Sequence, residues 1–372
     1  MKLGADDLDG WQIVKSVPNP WGKIPLTAGG KSLTQPMKDY VARLAETSGQ
    51  PDNPSRKHHY VPRAYLRAWS FDNKRIWTHD TATGDVKPLG LRAVCMAENF
   101  HRVVGGDGEP HNRVESLFTI VENELVRVQR LLNALDDPAD LEFDDLMGLG
   151  LSMAVQRMRT LQERRLMSQH SAWLAAQNAN DFTYLHDGAA DPYRLAGMHT
   201  EAVFAGMWDA ADLLTTRYIE IWHDEQGRFT TCDAPVLVPM RGNKSPGMNN
   251  APFVFWPISP NRVVALSHEA TGLKGTLRAA TNREVGIVRR CVEQGRERMI
   301  FASAEQRDRL DGKVYRRRTQ VRLRCSQYGP RGDYIEPPGC CVEYRACFAD
   351  KPDVRLCTQG LHSEAPNMLR HT

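Results

Sequence analysis

The sequence contains no run of about 18 apolar residues, so it predicts no transmembrane helix. It also has little net charge, because 48 basic and 45 acidic residues leave a formal charge of +3 at pH 7. This balance argues against a dedicated nucleic-acid coat protein and leaves only local basic patches. The N-terminus turns acidic at Asp6 and Asp7 without the apolar stretch of a signal peptide. These absences predict a cytoplasmic protein with no membrane partner.

Motifs that would identify a reaction are also missing. The chain has no G-x-G-x-x-G, phosphate-binding loop, G-x-S-x-G or H-E-x-x-H motif. No C-x-x-C pair occurs among the eight cysteines, of which five follow position 320. These five and His362 offer soft ligands, but their spacing favours free thiols over a structural zinc site. The five are Cys325, Cys340, Cys341, Cys347 and Cys357.

The 372 residues are enough for one large domain or two ordinary ones. Proline and glycine interrupt the pattern up to about residue 56, apart from one amphipathic helix predicted over 36–47. A strongly basic segment and a cysteine-rich tail follow residue 312. We therefore predict an N-terminal extension over 1–56, a domain over 57–312 and a C-terminal extension over 313–372.

Apolar periodicity within the domain predicts an α+β fold. Long helices from the middle of the chain should pack with a small, mainly antiparallel sheet. The predicted helices cover 62–69, 111–135, 143–177, 194–215 and 281–294. The predicted strands cover 75–80, 99–104, 217–223, 228–231, 253–258, 263–266 and 299–302.

The densest polar signal is the doublet His58-His59, which precedes Val61-Pro62. Proline suits the first turn of a helix, and the residue before it favours extended backbone. Adjacent side chains in an extended segment point to opposite sides, so one histidine should face a site. That imidazole could act as general base, proton donor or metal ligand. The alternative is a histidine that hydrogen bonds a helix end.

The helix predicted over 111–135 carries Glu115, Glu122 and Glu124. Glu115 and Glu122 share a face but lie about 10 Å apart, which is too far for both to bind one ion through short side chains. A solvated face, with arginines nearby, is the alternative for these carboxylates. Glu122 is the better candidate because it lies beside the apolar stripe.

Two further motifs carry polar residues at positions where packing alone would not require polar side chains. Gln156-Arg157-Met158-Arg159-Thr160 continues an apolar stripe and predicts a buried network or a pocket wall. Its arginines could bind carboxylate or phosphate, or form a structural ion pair with Glu122. Asp233 ends a strand before Ala234-Pro235, a place where binding side chains are often presented. The alternative for Asp233 is an Asx-type turn.

In this order, the motifs resemble a bacterial family catalogued as domain of unknown function 4238. The resemblance covers about residues 57–303, and the family pattern has asparagine where this chain has Ala234. It implies no activity, but it implies that the polar motifs belong to one domain and converge. The matching motifs are His58-His59-Tyr60-Val61-Pro62 with Tyr65-Leu66-Arg67 and Trp69, Glu98-Asn99-Phe100, Glu115 and Glu122, Gln156-Arg157-x-Arg159-Thr160, Cys232-Asp233-Ala234-Pro235 and Phe255-Trp256-Pro257-Ile258-Ser259-Pro260.

Our first functional hypothesis is a hydrolase, specifically a nuclease or other phosphodiesterase. His58 or His59 would be base or ligand, and Glu122 and Asp233 would hold a divalent metal ion or orient water. A phosphate-containing substrate or nucleic acid would be neutralised by Arg157 or Arg159. Further substrate contacts would come from Tyr60, Arg63, Asn99 and Gln156.

The second hypothesis is a non-catalytic domain that binds nucleic acid or protein. The same polar groups would then form a buried ion-pair network, and the basic segment 316–324 would contact the partner. Convergence of His59, Asp233 and a glutamate on one pocket distinguishes the two hypotheses. The sequence determines neither a metal nor the oligomeric state.

Overall fold

The computed structural model describes residues 52, 55–104, 108–164, 167, 192–239, 248, 251–267 and 275–315, and the backbone of short strand pairs outside this domain. Those pairs join Thr27–Ala28 to Lys31–Ser32, Gln320–Arg324 to Cys341–Arg345, and Gln327–Tyr328 to Tyr334–Ile335. The helix predicted over 36–47 and the side chains of the basic segment and the tail cysteines lie outside the described residues.

The described domain has the predicted α+β class. Its helices are α1 (Arg63–Leu66), α2 (Val114–Ala134), α3 (Phe143–Met158), α4 (Pro192–Thr215) and α5 (Asn282–Gly295). Three short 3-10 helices cover Arg67–Trp69, Pro138–Asp140 and Ala304–Arg309. The strands are β1 (Lys57–His59), β2 (Arg75–Asp80), β3 (Asp85–Gly90), β4 (Met96–Glu98), β5 (Val103–Val104), β6 (Pro110–His111), β7 (Tyr218–His223), β8 (Thr231–Cys232), β9 (Phe253–Pro257), β10 (Arg262–Ser267), β11 (Thr276–Ala279) and β12 (Met299–Ala302).

Eight of these twelve strands form two four-stranded sheets where the sequence predicted one, and the other four pair as β1 with β4 and β5 with β6. The first has the order β8-β12-β2-β3 and is antiparallel throughout. The second has the order β9-β10-β7-β11, and only its edge strand β11 runs parallel to its neighbour. The strand predicted over 228–231 is reduced to β8, because Asp224 accepts hydrogen bonds from Arg228 and closes a turn there.

Helix α3 lies between α2 and α4. A Cβ on Gly150 would lie only 2.7 Å from the carbonyl oxygen of Ala211, so the absence of a side chain lets α3 approach α4 closely. The predicted helix 143–177 is interrupted after Met158, because the Thr160 hydroxyl accepts the Glu163 N–H and starts a new helical turn over 161–164. None of the helices in the described part of the chain is both long and apolar enough to span a membrane.

Two buried aromatic side chains hold α1 against both sheets. The Tyr65 hydroxyl donates to the Pro257 carbonyl at 2.6 Å and lies 2.7 Å from the Thr231 hydroxyl. The Trp69 indole N–H donates to the Phe229 carbonyl at 3.1 Å. The histidine doublet just before α1 therefore has a defined position relative to the sheets, which explains why this motif organises the site.

Short segments on either side of residues 57–312 also contact the domain. The His79 ring bonds the Lys313 carbonyl at 3.0 Å, and the Tyr315 N–H donates to Thr81 at 3.0 Å. On the other side, the Asp52 carboxylate accepts the Asn112 N–H. The packed unit thus includes the first residues of the predicted C-terminal extension.

Candidate functional site

His58 makes hydrogen bonds within the fold through its ring, whereas its role as base or ligand stays a prediction. Its side chain is buried, its Nδ1 accepts the His101 backbone N–H at 2.8 Å, and its Nε2 bonds the Ser55 carbonyl at 2.9 Å. The neutral ring therefore carries its proton on Nε2, and both nitrogens have partners. Both ring nitrogens of His58 are therefore engaged by the backbone of other segments rather than by a helix end.

His59 lies on the opposite side of the extended segment and is half-buried. Its Nε2 is buried and has no hydrogen-bond partner among the described residues. Burial, and then the charges of Arg63 and Arg159, lower the pKa of His59 from 6.5 to about 4. His59 is consequently neutral at pH 7 and keeps an unshared lone pair on a ring nitrogen.

His101 and Glu115 form a buried dyad that the sequence analysis missed. His101 is fully buried, its Nδ1 makes a short hydrogen bond to Glu115 Oε1, and its ring stacks on His58 with centroids 5.7 Å apart. Burial and two arginines hold the pKa of His101 well below 6.5, so the neutral ring donates Nδ1–H to the carboxylate. Glu115 therefore does not lie on a solvated helix face, which was the alternative considered for the glutamates of α2. Its role was hidden because its partner belongs to another segment.

His58, His101 and Glu115 each place a potential ligand atom within 4.8 Å of the others, a spacing compatible with a metal ion. The hydrogen bonds argue against this use of the group. A metal at His58 would have to displace either the Ser55 carbonyl or the His101 N–H from a ring nitrogen. The three side chains fit a hydrogen-bonded support for the site better than a ligand set.

Arg159 connects two of the predicted site residues. Its side chain is only 2% exposed, and its Nη2 lies 2.7 Å from Glu122 Oε1 and also donates to the His59 carbonyl. The guanidinium lies over the Phe118 ring, 4.2 Å from the centroid. The ion pair considered for these residues therefore exists, and it fixes His59 beside α2 and the end of α3.

Gln156 and Arg157 do not join this contact. Arg157 pairs with Glu163 at 3.0 Å and bonds Gln162 at 3.2 Å, and Gln162 in turn donates to the Gly295 carbonyl. Two residues along a helix rotate the side chain by about 200°, which separates Arg157 from Arg159. Gln156 is buried, and neither polar atom of its amide has a partner among the described residues.

Asp233 is buried and acts as a clamp on a loop. Its two oxygens accept the backbone N–H groups of Glu297, Arg298 and Met299 at 2.7, 2.8 and 3.0 Å. Burial and the nearby Glu297 raise its pKa to about 6, against the effect of these N–H groups. Within the described chain no hydrogen bond or ion pair joins it to His59 or Glu122. Both of its oxygens are occupied between β8 and β12, and the catalytic role of Asp233 stays a prediction.

The remaining predicted substrate contacts lie in three different environments. Tyr60 is buried and packs on Phe100 with centroids 5.4 Å apart, so it belongs to the core. Asn99 takes a left-handed turn conformation, with φ 55°, after β4. Arg63 is exposed at the start of α1, and its charge acts on His59. Of the three, Arg63 is the one that can meet a ligand beside His59.

The sequence analysis also missed Arg164 and His199. Arg164 Nε and Nη2 lie 3.2 and 3.1 Å from His199 Nδ1, and His199 Nε2 bonds the Met158 carbonyl at 2.7 Å. The Arg164 guanidinium stacks 3.5 Å from the centroid of Phe100. The only available signal was a histidine within the otherwise apolar pattern of α4.

We expect the fold to lose stability as the pH falls from 7 to 5. Burial and neighbouring arginines hold the pKa of His101 and His199 well below 6.5, whereas the unfolded chain binds these protons near that value. Unfolding then takes up protons, and each histidine lowers the free energy of unfolding by about 1.4 kcal/mol per pH unit below 6.5. The raised pKa of Asp233 acts in the opposite direction between about 6 and 3.8. Urea titrations at several pH values measure the net slope.

His199→Gln isolates the histidine contribution to this pH dependence, because glutamine keeps hydrogen-bonding groups but does not titrate. The variant should show a smaller fall in stability between pH 7 and 5 than the parent protein. An unchanged slope would contradict the assignment of a neutral His199 in the fold.

Comparisons with known proteins agree with the resemblance seen in the sequence. Neither the curated proteins nor the solved structures contain a match. A family model described as "Protein of unknown function (DUF4238)" matches residues 57–286, which include the histidine doublet, the glutamates of α2, and Arg159. Because this match spans well over half of the chain, the protein belongs to the DUF4238 family.

Proposed function

We propose that the protein is a hydrolase that cleaves a phosphodiester, with His59 as the proton acceptor. One observation carries this proposal: His59 is neutral, its Nε2 has no partner among the described residues, and two guanidinium groups act on its ring. A phosphodiester needs positive charge to stabilise the developing negative charge and a base to activate water. Arg63 and Arg159 would supply the charge beside His59.

Substrate binding would also make His59 a better base. In the free protein the arginines and burial hold its pKa at about 4, which favours the neutral ring but makes a weak base. A bound phosphate would offset the arginine charges and move the pKa towards neutral. His59 would therefore gain basicity when the substrate is in place.

The structure gives less support for a divalent metal ion in the reaction than for His59 as the base. The described group with suitable spacing includes His58, whose two nitrogens already have hydrogen-bond partners. We therefore expect hydrolysis to survive treatment with a chelator. Assays of the treated protein with and without added Mg²⁺, Mn²⁺ or Zn²⁺ test this point, and activity that returns only with a metal would show that a metal carries the chemistry.

The alternative function is non-catalytic binding of nucleic acid or protein, with the polar residues as a structural network. The internal pairing of Arg159 with Glu122 and of His101 with Glu115 favours this alternative. It predicts binding without cleavage for every phosphodiester tested.

His59→Ala is the variant that separates the two functions. We expect it to lower kcat/KM for phosphodiester hydrolysis by about 100-fold, the usual contribution of a general base. The substrates to screen are RNA, single-stranded DNA and double-stranded DNA, followed by small phosphodiesters.

His223→Ala is the matched control, because His223 lies at the end of β7 in the second sheet. It should retain the parent activity. Equal rates for the parent protein and His59→Ala would exclude His59 as the proton acceptor. No hydrolysis of any substrate by the parent would exclude the hydrolase.

A further inference from the structure

Arg164 is a buried cation with unusual partners. It is 8% exposed, and its Nε and Nη2 both point at one acceptor, the Nδ1 lone pair of His199. His199 is neutral, because burial and Arg164 lower its pKa well below 6.5. A guanidinium has five N–H donors, so three of them have no acceptor among the described residues.

No described carboxylate contacts this guanidinium. Arg159 pairs with Glu122, and Arg157 pairs with Glu163, whereas Arg164 has only a neutral ring and the face of Phe100. Burial alone lowers the pKa of Arg164 to about 9, with no acidic group acting against it. A buried charge without a counterion is unfavourable, so this position is suited to an anion that comes from outside the fold.

The surroundings also favour an anion. The charges of Arg159 and Arg164 both lower the pKa of His101 and of His199, so the two guanidinium groups act on the same pair of imidazoles. Glu115 and Glu122 are already engaged by His101 and Arg159, which leaves the charge of Arg164 uncompensated.

We propose that Arg164 binds a phosphoryl oxyanion, with Phe100 and His199 holding the plane of its guanidinium in place. A guanidinium held on one side presents its outer N–H groups as a fork that matches two oxygens of a phosphate. The choice of phosphate over carboxylate rests on the proposed function, but anion binding at Arg164 does not. The residue adds an anchor for substrate that Arg157, the arginine first considered, does not provide.

Titration calorimetry and thermal unfolding with inorganic phosphate test this site without any turnover. The parent protein should bind phosphate and unfold at a higher temperature in its presence. Arg164→Met should weaken phosphate binding by about 10- to 100-fold, the contribution of hydrogen bonds to a charged group. Arg75→Met is the control, because Arg75 is exposed at the start of β2 and pairs with Asp72 of the preceding turn. It should bind phosphate like the parent.

The same variants distinguish this inference from the hydrolase proposal. Without phosphate, Arg164→Met should be at least as stable as the parent, because it removes an uncompensated buried charge. Arg164→Lys should retain the charge but bind phosphate less tightly than the parent, because it lacks the planar fork. Acetate in place of phosphate tests carboxylate as the anion, and equal binding of the two would overturn the choice of a phosphoryl group.

His59→Ala should keep full phosphate binding even if it abolishes turnover. Phosphate binding that persists unchanged in Arg164→Met, or no phosphate binding by the parent, would overturn the site at Arg164. Neither result depends on whether the protein hydrolyses a phosphodiester.

Discussion

Asp233→Ala is expected to lower the free energy of unfolding by about 4 kcal/mol, because it leaves three N–H groups around a buried carboxylate without an acceptor, at about 1–3 kcal/mol each. The loss of an unfavourably buried charge offsets part of this cost. The three donors are the backbone N–H groups of Glu297, Arg298 and Met299, which precede or begin β12. Their loop holds β12 between β8 and β2, so its loosening should affect the whole first sheet. Urea denaturation at pH 7.5, followed by circular dichroism, measures the effect.

Asp233→Asn is the matched variant for this prediction. Its amide keeps one oxygen acceptor but turns the other position into a donor that faces backbone N–H groups. The Asp233→Asn protein should therefore be less stable than the parent. Its stability should not exceed what one retained acceptor can provide. A stable Asp233→Ala protein that has lost hydrolysis would instead support the catalytic role predicted from the sequence.

Glu122→Ala is expected to lower the free energy of unfolding by about 3 kcal/mol, the lower end for a broken buried pair, because it leaves Arg159 without its carboxylate. The lower end applies since Glu122 is 29% exposed, whereas Arg159 is only 2% exposed. Solvent can therefore reach the site of the lost carboxylate and partly hydrate the arginine. The same urea denaturation measures this change.

A double variant shows whether the ion pair serves stability alone. Glu122→Leu with Arg159→Met replaces both charges by apolar groups and should recover most of the lost stability. It should not recover phosphodiester hydrolysis, because the proposed mechanism uses the Arg159 charge beside His59. Asn123→Ala is the control on the same helix, because the Asn123 side chain is exposed, and it should change the free energy of unfolding by less than about 0.5 kcal/mol. Full activity in the double variant would contradict a role for Arg159 in binding phosphate.

Local patterns in the sequence predicted most of the elements. The apolar stripe of α2 and the alternation of β2 depend on residues a few positions apart, and both appear in the structure. The predicted helix over 143–177 ran past the break at Thr160, because a hydroxyl that starts a new turn carries no strong signal in a helical pattern. The edge strand β11 was missed because its four residues acquire their pairing from β7.

The candidate site was predicted in part. The doublet lies in an extended strand, in which adjacent side chains point to opposite sides, as the sequence predicted. An ion pair between Glu122 and an arginine of the 156–160 stretch was one of two alternatives, and Arg159 makes it. Local patterns gave no signal for His101, Arg164 or His199, because their roles depend on partners in other segments. Asp233 was predicted to lie in the site because it ends a strand, but aspartates that hold a loop in place also occur at strand ends.

The sequence by itself determined the α+β class, the family, and the segment in which the site begins. Only the tertiary structure decided which polar side chains remain available for chemistry. His58 is occupied by a backbone N–H 43 residues away, and Asp233 by a loop 64 to 66 residues away. A hydrogen bond consumes a lone pair whatever its separation along the chain, and patterns over a few residues carry no information on such distant partners. His59 and Arg164 stand out because the fold leaves their polar atoms unmatched.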